Sequence, residues 1–191
     1  KKLNLKKLHF TETMGFAVKN ADIIQENVPE DLKIKKKIVK EISKFSKPNA
    51  IIASSSSGLL PTKIQSSCKN PGRFLIAHPF NPVYLLPLVE IVKGQKTNVK
   101  FINKSKNFYK SIGMHPLVLR KEIEGYLSDR LQESIWRESL HILNENIAST
   151  DDLDKAIIDG PGLRWSFMGT FLTFHLAGGK LGMKHMLKQF G

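Results

Sequence analysis

Short apolar runs recur along the first two thirds of the chain, separated by stretches whose apolar positions repeat at helical intervals. Residues 21–25 (ADIIQ), 50–54 (AIIAS), 73–78 (RFLIAH), 88–92 (LVEIV) and 114–119 (MHPLVL) have the length and apolar content of buried strands. Between the first two, Leu32, Ile38, Ile42 and Phe45 mark one face of a helix predicted over residues 29–45. Pro29 suits a first helical turn, and Lys47, Pro48 and Asn49 end the run. Residues 98–112 read as a second helix, stopped at Gly113, which suits a left-handed cap. Strands alternating with amphipathic helices predict an α/β fold, with a parallel sheet and crossover helices.

Near Leu119 the texture changes. Residues 122–146 carry Leu127, Leu131, Ile135, Leu140 and Leu143 in a long helical pattern. Ser149 and Thr150 then precede Asp151 and Asp152, whose charges favour a helix N-terminus. After a turn at Gly160, Pro161 and Gly162 the remainder is aromatic and helical in pattern. The expected division is an α/β part over residues 1–119 and an all-helical part over 120–191, with no internal repeat.

Composition adds limits. The 191 residues carry a formal net charge of +13 and are 41% hydrophobic, as in a globular protein. That charge could attract phosphate, but the lysines are spread among apolar spacers, with no zinc-finger spacing, RNA-binding aromatic motif or basic tail. A solvated lysine-rich surface is therefore expected, not a nucleic-acid partner. No run approaches the roughly 18–20 apolar residues of a membrane helix, and residues 1–10 lack the apolar core of a signal peptide. The single cysteine, Cys68, cannot form an internal disulfide, so the cytoplasm is the expected compartment. A start at Lys1 and an end at Gly191 directly after a helical run lead us to expect a fragment of a longer protein.

The candidate chemistry lies at predicted strand ends. Ser54 to Ser57 follow a buried strand, which in an open α/β sheet is where ligands bind. His78 closes another strand and begins the run His78-Pro79-Phe80-Asn81-Pro82. Glu90 interrupts an apolar strand, where an unpaired carboxylate is costly, so it demands a partner unless that strand is an edge facing water. A histidine backed by a carboxylate can take a hydroxyl proton while hydride leaves the same carbon, the hydride chemistry belonging to a nicotinamide. The pair could instead assist a serine nucleophile, but no G-x-S-x-G elbow is present, and no metal-ligand spacing occurs.

The run Ala53-Ser54-Ser55-Ser56-Ser57-Gly58-Leu59, the run His78 to Pro82, and Glu90 placed twelve residues after His78 together resemble the 3-hydroxyacyl-CoA dehydrogenase superfamily. The resemblance spans essentially the whole chain. It implies the C-terminal part of a Rossmann-type NAD-binding domain followed by an all-helical domain that forms a homodimer. It also implies that His78 is the catalytic acid/base, that Glu90 orients it, that Ser57 binds the substrate oxygen, and that Asn81 helps hold substrate and nicotinamide. Glu30 and Lys35 fall where the family contacts the cofactor. The G-x-G-x-x-G turn and the acidic residue that separates NAD from NADP are absent from the sequence.

Departures from the family's pattern narrow the resemblance. The family's Gly-Phe-x-x-Asn-Arg run stands here as Gly125-Tyr126-Leu127-Ser128-Asp129-Arg130. With the runs 160–169 and 171–179, the chain is most similar to the branch that oxidises the 3-hydroxyl of L-carnitine with NAD. It is less similar to the gulonate dehydrogenase and lambda-crystallin branch. A quaternary ammonium is held by aromatic faces or a carboxylate, which Asp129 with Trp165, Trp136 or Phe167 would supply. Arg164 would grip the substrate carboxylate as a fork. The competing expectations are oxidation of a 3-hydroxyacyl-CoA or of gulonate, and a non-catalytic crystallin-like scaffold.

Overall fold

A computed structural model of the chain describes residues 5–190; the outermost residues of the two expected parts, 1–4 and 191, lie outside that range. Five strands follow in order: β1 (Ile23–Glu26), β2 (Ile51–Ser54), β3 (Phe74–Pro79), β4 (Leu88–Lys93) and β5 (His115–Val118). Their order in the sheet is the same as in sequence. The helices are α1 (Met14–Val18), α2 (Leu32–Phe45), α3 (Pro61–Gln65), α4 (Val99–Ser111), α5 (Ser128–Asn144), α6 (Thr150–Ile158), α7 (Pro161–Trp165), α8 (Thr170–Ala177) and α9 (Met183–Phe190). Two compact units result, Lys1–Gln132 and Glu133–Gly191.

All five predicted strands form, but the sheet is mixed. β1, β2 and β3 run parallel and β4 parallels β5, whereas β4 is antiparallel to β3. The expected all-parallel sheet fails at one connection. Residues 80–87 link β3 to β4 and are too few for a parallel return, which needs about a dozen residues or more.

The central strands are buried on both faces, so successive side chains feed two cores. Ile52, Phe74, Ile76 and Val92 pack with Val39 and Ile42 of α2 and Ile64 of α3. Ile51, Leu75, Val89 and Ile91 pack with Phe101, Ile102 and Tyr109 of α4. Each such large apolar side chain, once fully buried, contributes about 2 kcal/mol.

Three helix boundaries differ from the sequence pattern, each for a local reason. α2 begins at Leu32, not Pro29, because the Asp31 carboxylate accepts a hydrogen bond from the Ile34 amide at 2.8 Å and so caps it. α5 begins at Ser128, not near residue 122, because Gly125 (φ 72°) and Tyr126 (φ 46°) are left-handed. Pro161 opens the short α7 instead of lying in a turn. Gly113 does take the left-handed conformation expected after α4 (φ 88°). In the second unit Ser149 and Asp152 form a reciprocal capping box at the start of α6. No described helix is long and apolar enough to cross a membrane.

Replacing Asp31 by Ala removes a side-chain cap and is expected to cost about 1 kcal/mol. The measurement is the denaturant midpoint at constant m; an unchanged midpoint would show that the cap does not hold this helix end.

Candidate active site

Because β1, β2 and β3 are parallel, their carboxyl ends, Glu26, Ser54 and His78-Pro79, share one edge of the sheet. The reversal at β4 brings its first residues to the same edge, and the antiparallel register sets Glu90 directly opposite His78. Residues paired in this way project to the same face of a sheet. The imidazole Nδ1 lies 3.1 Å from Glu90 Oε2, with His78 7% exposed and Glu90 fully buried.

The second carboxylate oxygen, Glu90 Oε1, accepts hydrogen bonds from the backbone amides of Leu127 and Ser128, both at 3.0 Å. These amides open α5 and have no partner within the helix, so a side chain from β4 caps it from outside. Burial pushes the Glu90 carboxyl up. The hydrogen bonds from His78, Ser128 and Leu127 and the charge of His78 outweigh it, leaving the group below its ordinary value of 4.5. An ionised Glu90 can only accept, so the proton of a neutral imidazole sits on Nδ1 and Nε2 keeps its lone pair.

A second carboxylate organises the serine loop. Glu30 Oε1 accepts from the Ser56 hydroxyl at 2.5 Å and from the amides of Ser57 and Gly58 at 3.1 Å and Leu59 at 3.4 Å. Burial raises the Glu30 carboxyl, but the bonds from Ser56, Gly58 and Leu59 and the charge of Lys35 hold it below the ordinary range. Lys35 is 1% exposed. Its ammonium donates to Glu26 at 3.1 Å and to the Val28 carbonyl at 3.0 Å, and lies 3.5 Å from Glu30 Oε2. Glu26 also accepts from the Ser54 hydroxyl, its register partner on β2. In this structure the partly exposed Glu30 and the buried Lys35 therefore brace the serine loop. The half-buried Ser57 offers a hydroxyl without a hydrogen-bond partner among the described residues.

Asp129, the second residue of α5, joins the group electrostatically. Burial raises its carboxyl above the ordinary 3.8; the charge of His78 opposes this, and those of Glu90 and Glu30 add to it. Asn81 is exposed in the loop after β3 and makes no hydrogen bond to the pair. Arg164 and Trp165 belong to α7 of the second unit and are exposed, Trp165 by 40%. Sequence reasoning placed Ser54 and Ser56 in the candidate loop without a role for either, and missed any role for Tyr126, Glu26 and the two capping amides. The signals for them were Gly125 before a helix and a glutamate directly after the first predicted strand.

Residues 2–123 match the 3-hydroxyacyl-CoA dehydrogenase NAD-binding domain, and residues 125–191 match the C-terminal domain of the same family. The chain belongs to the 3-hydroxyacyl-CoA dehydrogenase family. It is 55% identical over 185 residues to an L-carnitine dehydrogenase of Bacillus cereus, covering 97% of this chain and 57% of that protein. With an L-carnitine dehydrogenase of Oceanobacillus iheyensis the identity is 54%, over 96% of this chain and 60% of that one. Among solved structures, an NAD+-dependent 5-formyl-3-hydroxy-2-methylpyridine 4-carboxylic acid 5-dehydrogenase superposes with a TM-score of 0.87 at 29% identity, over 95% of this chain and 58% of its own. FadB2 of M. tuberculosis gives 0.78 at 26%, over 97% and 65%. The chain thus spans less than two thirds of the length of these relatives.

The donor set fits one end of a nicotinamide dinucleotide. The Ser57 hydroxyl and His78 Nε2, neither with a hydrogen-bond partner among the described residues, lie at or just beyond the carboxyl ends of parallel strands, where such folds take the reactive ring. No G-x-G-x-x-G turn to grip the pyrophosphate occurs in this sequence.

The lowered carboxyl of Glu90 fixes the sign of a pH effect. The folded state binds its proton more weakly than the unfolded chain, so this stabilisation is complete above about pH 4.5 and is lost as pH falls through the folded value. Glu90→Gln is expected to cost about 3 kcal/mol at neutral pH. The difference between parent and variant in chemical denaturation should shrink below pH 4.5; a difference that grows on acidification would reverse the assignment.

Proposed function

We propose that the protein oxidises the 3-hydroxyl of L-carnitine to 3-dehydrocarnitine with NAD, using His78 and Glu90 as its proton-handling pair. The observation that carries the chemistry is the 3.1 Å contact between His78 Nδ1 and a buried Glu90 held by two backbone amides. That arrangement leaves Nε2 as the base. Nε2 takes the substrate hydroxyl proton as the C3–H bond gives up its hydride, and the imidazolium so formed is stabilised by Glu90. In the reverse direction the imidazolium returns the proton to the carbonyl oxygen. NAD, when bound, supplies the hydride acceptor.

Within this reading the Ser57 hydroxyl donates to the substrate oxygen, and Asn81 helps hold substrate and nicotinamide. Glu30 and Lys35 serve the cofactor side by shaping the serine loop. The choice of L-carnitine is supported by the relatives of that name at 55% and 54% identity. It is also supported by the charge of the site, where Glu90 and Glu30 both act on Asp129, a negative environment that suits a cationic substrate. Asp129 is assigned the trimethylammonium group.

Residues 1–119, which hold every strand of the sheet, are read as the nucleotide-binding part and residues 120–191 as the helical part. We assign a homodimer through the helical part. α8 has apolar residues all round, with Phe171 83%, Leu176 57%, Leu172 49% and Phe174 44% exposed, a surface that water does not favour. The lone buried Cys68, raised by burial, supports a reducing cytoplasm.

The deciding assay follows NADH formation by the full-length protein with L-carnitine, D-carnitine, gulonate and 3-hydroxybutyryl-CoA. Turnover of L-carnitine is expected, and turnover of another substrate without it would overturn the reading. His78→Gln should lower kcat by roughly 10²- to 10⁴-fold while NAD binding persists. Asp129→Asn should raise KM for L-carnitine far more than for an uncharged 3-hydroxy acid; equal effects on both would remove its role at the ammonium.

A further inference from the structure

We propose that Tyr126 is a positioning residue of this site, its ring setting the His78 imidazole and its hydroxyl tying the serine loop to the same point. The inference rests on the reading of His78 as the base and goes beyond it.

The backbone of Tyr126 is unfavourable in isolation. It is left-handed (φ 46°) directly after Gly125 (φ 72°), a region that bulky side chains rarely adopt. Tertiary contacts hold it there. The side chain is fully buried, and its hydroxyl donates to the Leu59 carbonyl at 2.8 Å. Burial pushes the phenol well above its ordinary value of 10, so at neutral pH it remains a donor. The Gly125 amide reaches the Gly58 carbonyl at 3.3 Å, a second tie between this turn and the serine loop.

The ring meets the imidazole edge-to-face, with centroids 5.7 Å apart at 60°. Phe80 makes a similar contact at 6.1 Å and 78°. One hydrogen bond from Nδ1 to Glu90 leaves an imidazole free to swing about that bond, and ring contacts remove the freedom. The two residues after Tyr126 donate the amides that hold Glu90. Three consecutive residues thus touch the imidazole, its carboxylate and the loop that carries Ser57. A phenylalanine would fill the same core volume, so the hydroxyl is the part that packing alone does not require.

The test uses the full-length enzyme and whichever 3-hydroxy substrate it turns over fastest, so that an error about L-carnitine does not enter. Tyr126→Phe frees the Leu59 carbonyl and is expected to lower kcat about 5- to 10-fold and raise KM for the hydroxy substrate, with KM for NAD unchanged. Tyr126→Leu also removes the ring and is expected to lower kcat about 100-fold and shift the pH profile of kcat. Histidine-selective ¹⁵N NMR reads the imidazole without any substrate: a single Nδ1–H tautomer in the parent and in Tyr126→Phe, and mixed or broadened signals in Tyr126→Leu. If Tyr126→Phe keeps kcat and both KM values within twofold, the hydroxyl has no positioning role and the proposal falls. It falls as well if a folded Tyr126→Leu keeps the parent imidazole spectrum. Should Tyr126→Leu not fold, the result for Tyr126→Phe decides alone.

Discussion

The Glu90 carboxylate is the group on which the rest of the structure around the site depends. It is fully buried, and a charge so placed costs several kcal/mol unless its oxygens are matched. Three hydrogen bonds match them, one from the imidazole of His78 and two from the amides that begin α5. Charge-assisted bonds of this kind contribute about 1.5–3 kcal/mol each, enough to offset the burial. The three donors come from two places in the chain. The antiparallel register of β3 and β4 supplies the histidine, and the left-handed turn at Gly125 and Tyr126 supplies the amides. Moving either would strand the charge.

Glu30 repeats the device on the neighbouring loop. Its carboxylate gathers three consecutive amides and the Ser56 hydroxyl, which shapes a serine-rich segment with little side-chain bulk to hold it. Lys35 and Glu26 beneath it continue the network into the core. Asp129 behaves in the opposite way. It lacks such donors, and burial with the charges of Glu90 and Glu30 raises its proton affinity, with only His78 opposing. Two of these carboxylates, Glu90 and Glu30, are therefore committed to holding backbone amides, whereas Asp129 has no side-chain hydrogen bond among the described residues.

Much of the architecture could be read from residue patterns. Five strands and the two amphipathic helices α2 and α4 stand where the apolar periodicity predicts, because burial on a sheet or helix face leaves a direct mark on sequence. Gly113 and the Ser149 cap were equally legible, since each depends on one residue's own conformational or hydrogen-bonding preference. The errors fall where the deciding factor is not local. Pro29 was favourable for a helix start, but Asp31 offered a carboxylate to the Ile34 amide and took the cap. The pattern around residues 122–127 was helical, but the turn that delivers amides to Glu90 interrupts it.

For the site, the chain's own residues determined that a glutamate within an apolar strand needed a partner unless the strand faced water, and that a histidine at a strand end was a suitable one. They also determined the run of serines and the presence of Asp129 in place of the family's asparagine. The short link between β3 and β4 already required an antiparallel return, but only the tertiary structure decided the register that sets Glu90 directly opposite His78. It alone decided that backbone amides hold Glu90 and Glu30, and that Tyr126 lies against the imidazole. The reason is physical. A backbone amide is the same in every residue, so no sequence pattern marks which one a distant carboxylate will use, and the fold must bring them together before the bond exists.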